Sequence, residues 1–428
     1  MHHLTVPVKP ELPEYGDRMH EHSHQHHDLL VTDRVRRSLW IAVAGWAVVS
    51  LIALIALWPT KQIGHSSDLA ENRVNATVES VEVKACTGTD VADLVECRFL
   101  TMRVSSGARA GQTAVLELGV STSKVRQAQV GDGLVLIEQT LDSGEASYAF
   151  ADYQRAGSML ILVLLFAVAV LLLGRLRGLG ALAGLGLSVA VLLIFMLPAL
   201  LQGSNPILVS IVAASVIAFA SLYLAHGFSS ATNVALLSTL LALSLTGLLA
   251  WAFIGLTSLT GFTDESSFYL EALGVNIDPR GLLLAGIVIG ALGVLDDVTV
   301  TQVSAVGALS EAQPSLSATE LYRRALSIGR DHISSTVNTL FLAYAGAALP
   351  LLLLFTETGQ RIGSVALRET VAVEVVRTLV GSIGLVAAVP ISTGLAAVIL
   401  AGSGSGSGSG NGSPGHGHDI ASVADLGN

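Results

Sequence analysis

Gly281-Leu-Leu-Leu-Ala-Gly-Ile-Val-Ile-Gly-Ala-Leu-Gly-Val-Leu-Asp-Asp-Val-Thr-Val-Thr-Gln302 is an apolar run broken only by two adjacent carboxylates, Asp296 and Asp297. It is long enough to cross about 30 Å of hydrocarbon at about 1.5 Å per residue. It has no strand-like alternation, and backbone polar groups cannot go unpaired in lipid, so its spanning form is a helix. An ionised carboxylate at that depth costs on the order of +3 kcal/mol by insertion scales, and two side by side cost more. Residues this expensive decide both the fold class and the place to look for function.

Seven further runs have the same character. The spans are expected at Leu39–Trp58, Ala156–Gly174, Gly178–Leu201, Ile207–Ala225, Val234–Leu259, Gly281–Val303, Ser334–Phe355 and Thr378–Ala401. The composition agrees: of 428 residues 51% are hydrophobic and only 13% charged, about half the charge of a soluble domain. The expected fold class is an α-helical membrane protein with about eight transmembrane helices. The first run starts behind a long polar tail and reads as an uncleaved signal-anchor over 38–58.

Arginines in the short loops orient the chain. Arg34, Arg36, Arg37, Arg175, Arg177, Arg323, Arg324 and Arg330 fall on one side, against Arg280, Arg361, Arg368 and Arg377 on the other. The richer side is cytoplasmic, so both termini are expected there, in a multi-pass protein of the cytoplasmic membrane. Residues 59–155 then lie outside, and 156–401 form a seven-helix domain. Within the outside segment, Ala76–Ala85, Arg98–Val104, Ala114–Leu118 and Leu134–Gln139 are rich in β-branched residues. Turn signals follow at Ser106-Gly107, Gly131-Asp132-Gly133 and Ser143-Gly144. They predict a small extracytoplasmic β-domain, a barrel or a sandwich, with an OB-like barrel as one form of that class. Cys86 and Cys97 sit in it, in an oxidising compartment; they form either a disulfide closing the turn between two strands or a pair of buried thiols.

The tails carry composition rather than fold. Residues 1–37 include His20, His22, His24, His26 and His27, a tract able to chelate zinc, nickel or copper, or to bind metal only non-specifically. His416 and His418 recur in the tail 402–428, which opens on the Gly/Ser linker Gly402–Gly412. Both tails are expected to be disordered and cytoplasmic. No basic patch points to nucleic acid, and no phosphate-binding loop, hydrolase triad or zinc-protease motif is present. The reading is therefore a non-enzyme with no resident cofactor, whose first partner is the lipid bilayer.

Gly286, Gly290, Gly293, Asp297 and Thr301 recur at spacings of 4, 3, 4 and 4, one face of a helix. With its GxxxG step, that face is expected to pack against a neighbouring helix and to point Asp297 into the bundle, with Asp296 on its flank. The expected ion or proton relay is Asp296, Asp297, Thr299 and Asn338. The first turns of the seventh span (Ser334, Ser335, Thr336, Asn338, Thr339) offer hydrogen bonds, and Arg330, Asp331 and His332 offer counter-charges. The bland alternative is that the aspartates snorkel to the inner interface and act only as anchors. Glu374 and Arg377 read as an interfacial i,i+3 ion pair, and Asp264, Glu265 and Glu271 as a solvated loop.

Three segments carry a resemblance to a known family: Gly293-Val-Leu-Asp-Asp-Val-Thr-Val-Thr-Gln302, Ile328-Gly-Arg-Asp-His-Ile-Ser-Ser-Thr-Val-Asn-Thr-Leu340 and the proline-containing last span. On these, Leu160–Ile399 resembles the YibE/YibF-like family of bacterial multi-pass membrane proteins, which implies the architecture but no substrate. Leu292–Val300, Tyr322-Arg-Arg-Ala-Leu-Ser327 and Asn338-Thr-Leu340 are also similar to the SecD/SecF branch of the RND superfamily. That likeness implies an acid at Asp297 that carries protons to drive an outside domain. The chain departs from that branch in having two extra spans and Thr299 for an Asn. It also holds one half of the usual helical unit, so the likeness requires a homodimer or a partner membrane subunit. The leading expectation is a transporter or permease-like protein, coupled to protons through the Asp pair. The alternative is a non-transporting envelope assembly or sensor protein whose outside β-domain docks a partner.

Overall fold

The computed structural model describes residues 29, 31–60, 72–86, 96–119, 126–140, 146–262, 278–357 and 362–404. Helix α1 (Asp33–Ala56) leads into five strands: β1 (Arg73–Ala85), β2 (Glu96–Val104), β3 (Thr113–Gly119), β4 (Gly133–Thr140) and β5 (Ala146–Tyr153). Helices follow as α2 (Ala156–Ala190), a π-helical turn (Val191–Met196), α3 (Leu197–Leu201), α4 (Pro206–His226), α5 (Ser230–Leu256) and α6 (Pro279–Ala312). The last are α7 (Ala318–Ala347), α8 (Leu349–Glu357), α9 (Ile362–Ala366) and α10 (Glu369–Gly404).

The sheet is antiparallel in the order β3-β2-β1-β4-β5, and it curls until β3 approaches β5. Alternation along β1 buries Val74, Ala76 and Val78. These side chains meet Leu100, Met102, Leu116, Leu134 and Leu136 in a core separate from that of the helices. A bulge between Val78 and Ser80 bends β1. Cys86 and Cys97 are joined by a disulfide across the β1–β2 end, with Cα atoms 4.9 Å apart. Four strands lie where the β-branched runs predict them. The fifth, β5, has neither Val nor Ile, and pairs with β4 from Thr140↔Ala146 to Leu134↔Tyr153.

Among the described residues six helices are long and apolar enough to cross a membrane: Asp33–Ala56, Ala156–Leu201, Pro206–His226, Ser230–Leu256, Pro279–Ala312 and Glu369–Ala401. The sequence reading expects eight. Two differences account for the change. The second and third expected spans form one 46-residue helical stretch, interrupted at Arg175, whose φ of 49° and ψ of −127° are not helical. A Cβ on Gly178 would come within 2.5 Å of the Val170 carbonyl oxygen. Residues eight apart in a straight helix are about 12 Å apart, so the chain folds back sharply at Arg175. The seventh expected span is not a separate apolar helix. Its first part continues the amphipathic segment before it as the 30-residue α7, and α8 begins after Ala348.

The helical core is built by α4, α5, α6 and α10, with Leu222, Ile287, Leu295 and Leu385 fully enclosed. Helix starts are well specified. Asn205 accepts hydrogen bonds from the amides of Ile207 and Leu208 ahead of Pro206, and Asp278 accepts from Arg280 ahead of Pro279. Ser317 and Glu320 form a capping box on α7, in which the Ser317 hydroxyl and amide hold the Glu320 carboxyl below the ordinary range. Its contribution is complete above the ordinary glutamate pKa and fades as pH falls through the lowered one.

At the opposite end Glu369 clamps α10 to the turn after α5. Its carboxylate accepts from the Thr260 hydroxyl at 2.6 Å and the Gly261 amide at 2.9 Å. Gly261 has φ +83°, and a Cβ there would lie 2.4 Å from the Pro279 carbonyl oxygen. Replacing Glu369 with Ala strands the buried Gly261 amide, while the exposed Thr260 hydroxyl turns to water, and is expected to cost about 1 kcal/mol. The thermal midpoint of the full-length protein in detergent measures it; an unmoved midpoint refutes the clamp.

Candidate functional site

Helices α4 and α6 run parallel and in step. Pro206 lies against Gly281 at their first turns, close enough that a Cβ on Gly281 would meet the proline ring at 2.8 Å. Fifteen residues further along both helices, the Ser221 hydroxyl donates to Asp296 Oδ2 at 2.6 Å. The second carboxylate oxygen, Asp296 Oδ1, is enclosed and has no partner among the described residues. The side chain as a whole is half-buried.

Asp296 heads a polar row at i, i+3 and i+6, and each member ties α6 to a different helix. Thr299, fully buried, lies 2.6 Å from the Thr239 hydroxyl of α5 and 3.1 Å from the Asp296 carbonyl oxygen. Gln302 donates to the Ala325 carbonyl of α7 at 2.9 Å. Beside the row, the Tyr223 hydroxyl of α4 donates to Asn233 of α5 at 2.6 Å, and Asn233 is also fully buried. Buried polar groups at a helix crossing need partners, and here each crossing supplies one.

Asp297 is placed otherwise than the sequence predicts. It is exposed, as are Gly286, Gly290, Gly293 and Thr301. The glycine face is therefore open, and the acid held inside is Asp296. A Cβ on Gly286 or Gly293 would meet nothing within 4 Å. Nor does the acid pair lie near a helix end. The helix continues to Ala312, so Asp296 is 17 residues from its start and 16 from its end.

The other expected relay and counter-charge residues are not gathered around the pair. Asn338, Arg330 and Asp331 are exposed on α7, and His332 is half-buried with its Nε2 enclosed and unpartnered. Among the described residues no hydrogen bond or ion pair joins them to Asp296 or Asp297. Within that segment the close contact is made by Gly329, where a Cβ would lie 2.9 Å from Gln302 Oε1 and 2.4 Å from Val389. Glu374 and Arg377 do pair, at 2.6 Å.

Ser221, Thr239, Asn233 and Gln302 are absent from the sequence-based site. The one signal that could have found Ser221 is the parallel pair of helix starts, Asn205-Pro206 and Asp278-Pro279, which sets the two helices in step. His20, His22, His24, His26, His27, His416, His418, Asp264, Glu265, Glu271 and Arg361 lie outside the described residues. Among those described, only Cys86, Cys97 and Glu117 are grouped closely enough to hold a metal ion. The two sulfurs are spent in the disulfide and offer no thiolate.

Long apolar helices with a carboxyl pair at mid-helix and a small curled sheet beside them fit a membrane protein. A family model described as YibE/F-like protein matches residues 162–402, more than half of the chain, and the chain belongs to that family. No curated protein and no solved structure matches it.

Proposed function

We propose that this is an eight-span protein of the bacterial cytoplasmic membrane that moves a solute in exchange or in step with protons, with Asp296 as the proton-carrying group. The observation that carries the reading is the Asp296 carboxyl at mid-helix, with one oxygen held by Ser221 and the other enclosed and free to take a proton. A carboxyl is kept at such depth against a cost of about 3 kcal/mol, which is the usual mark of a transport or relay site. Asp297, on the open face of the same helix, is the partner that passes the proton to and from the outside of the bundle.

The fold-back at Arg175 supports eight spans, since a 46-residue helix would measure about 69 Å, more than twice the hydrocarbon thickness. The second half of α7 together with α8 makes the seventh. Both termini are then cytoplasmic, and the sheet is an outside, OB-like domain, a reading supported by its curl, which brings the edge strands β3 and β5 near each other. A second reading, an envelope assembly or sensor protein, draws support from the sheet's separate core.

The test is proton flux in proteoliposomes of the full chain, driven by a pH gradient and read by an internal dye. The double variant Asp296→Asn, Asp297→Asn is expected to abolish the flux. Full flux in that variant, at normal folded yield, sinks the relay and favours the assembly reading.

A further inference from the structure

The Ser221 hydroxyl carries one proton and faces two acceptors. It lies 2.6 Å from Asp296 Oδ2 on α6 and 3.3 Å from the Ala218 carbonyl oxygen, one turn back on α4. Buried serines elsewhere on α4 and α5 spend their proton within the helix. Ser210 donates to the Ile207 carbonyl at 2.9 Å and Ser238 to the Val234 carbonyl at 2.8 Å. At Ser221 the local contact is the longer one, and the carboxylate holds the proton. A hydrogen bond to an ionised acceptor is roughly twice as strong as one between neutral groups, so this is the arrangement of the ionised acid.

A protonated acid makes the opposite demand. Asp296 Oδ1 is enclosed and has no partner among the described residues, so an O–H there is a buried donor without an acceptor. A half-turn of the carboxyl about its Cβ–Cγ bond exchanges the two oxygens and brings the O–H to Ser221. A hydroxyl oxygen accepts as well as donates, and its hydrogen rotates to suit its neighbours. The Ser221 hydrogen then turns to Ala218, and the group makes one hydrogen bond more than it would without the half-turn.

We propose that Ser221 is a two-way positioning residue that donates to Asp296 when the acid is ionised and accepts from it when the acid is protonated. The Ala218 carbonyl is the second seat of its hydrogen. The proposal deepens the reading of Asp296 as the proton carrier and rests on it. The carboxylate binds one proton, no covalent bond of Ser221 breaks, and the hydrogen bond between the two side chains reverses. The bound proton is thereby turned from the enclosed side of the carboxyl towards α4. The hydroxyls of Thr239 and Thr299, 2.6 Å apart, also have a carbonyl each, at 3.0 and 3.1 Å. Among the described residues neither is hydrogen-bonded to the carboxyl group itself, so neither can answer its change of charge. The charged group that bears on Asp296 is Asp297 beside it, and Tyr223 of α4 commits its hydroxyl to Asn233.

The experiment reads the Ala218 carbonyl by solid-state NMR of the full chain in lipid bilayers. Alanine labelled with carbon-13 at the carbonyl and phenylalanine labelled with nitrogen-15 select Ala-Phe pairs, of which the chain has three: Ala149-Phe150, Ala218-Phe219 and Ala252-Phe253. Between the ionised and the protonated acid the Ala218 signal is expected to shift and the other two to stay. Asp296→Asn and Ser221→Ala are each expected to abolish the shift, and Ser221→Thr to keep it. The Asp296 carboxyl band, identified in the infrared by its loss in Asp296→Asn, marks where the acid titrates. An Ala218 signal that stays fixed while that band titrates overturns the proposal, as does an equal shift in Ser221→Ala. A band that never titrates overturns both the reversal at Ser221 and the proton carrier. The expected shifts in a protein that moves no protons uphold the reversal and sink transport alone.

Discussion

Asp296→Asn alone is expected to lower proton flux at least a hundredfold, whereas Asp297→Asn, one residue away, costs about tenfold. The asymmetry follows from their surroundings. Asp296 has one oxygen fixed by Ser221 at 2.6 Å and the other enclosed without a partner. Asn at this position can still accept from Ser221 but cannot release and rebind a proton. Loss of a positioned proton-transfer group commonly costs about a hundred- to ten-thousandfold. Asp297 is exposed, where water or a neighbouring hydroxyl can relay a proton in its place.

Ser221→Ala separates positioning from chemistry. It removes the hydrogen bond that orients the carboxyl, a loss on the order of 1.5–3 kcal/mol for a charged acceptor. It is expected to reduce flux about tenfold and to alter its dependence on pH, because the carboxyl loses the donor that fixes one of its oxygens. Threonine at 221 restores the hydroxyl and is expected to restore the pH profile. Measured flux against pH for Asp296→Asn, Asp297→Asn, Ser221→Ala and Ser221→Thr checks the set. Equal losses for the two aspartates would refute the assignment of the inner acid.

The sequence reading located the acid helix and its period but reversed its orientation, and the reason is physical. In a soluble protein the apolar stripe identifies the buried face. In an all-apolar helix lipid and protein interior are equally apolar, so hydropathy carries no sign, and only small residues hint at packing. Gly286, Gly290 and Gly293 gave that hint, yet all three are exposed and, among the described residues, only Gly290 has a neighbour close by, the Tyr344 hydroxyl. Contacts between distant residues were similarly illegible. Ser221 is one serine in an apolar stretch until α4 and α6 are seen to run in step, 75 residues apart.

The strands were legible where Val alternates with polar residues, as in β1. Strand β5 was not, because its β-forming residues are aromatic: Tyr148, Phe150 and Tyr153. The charged stretch Gly174-Arg175-Leu176-Arg177-Gly178 was legible as a break, although the fold makes it with a single non-helical residue. Charge marks where a chain leaves the apolar layer, and local sterics decide how tightly it turns.

Gly180→Leu is expected to be the most damaging single substitution in the helical domain outside the acid pair. A Cβ on Gly180 would lie 2.1 Å from the Leu224 carbonyl oxygen and 3.0 Å from its carbon. The obstacle is backbone, so no rotamer change relieves it, and α2 and α4 must separate. One turn away a Cβ on Gly184 would sit 3.3 Å from the Ser221 Cα. Ser221 therefore lies between Gly184 on one side and Asp296 on the other, so a shift of α4 away from α2 is expected to disturb the Ser221–Asp296 hydrogen bond. Overpacking of this kind costs about 1–3 kcal/mol even where side chains can yield, and the upper end is expected for Gly180→Leu. Gly184→Ala, with a few tenths of an ångström to find, is expected to keep its thermal midpoint nearly unchanged yet to reproduce part of the Ser221→Ala shift in the pH profile. That pairing distinguishes a packing role from a purely structural one. A Gly184→Ala protein with the wild-type pH profile would show that the Ser221 position tolerates the displacement, and a Gly180→Leu protein with the wild-type midpoint would show that α2 and α4 are not held in backbone contact.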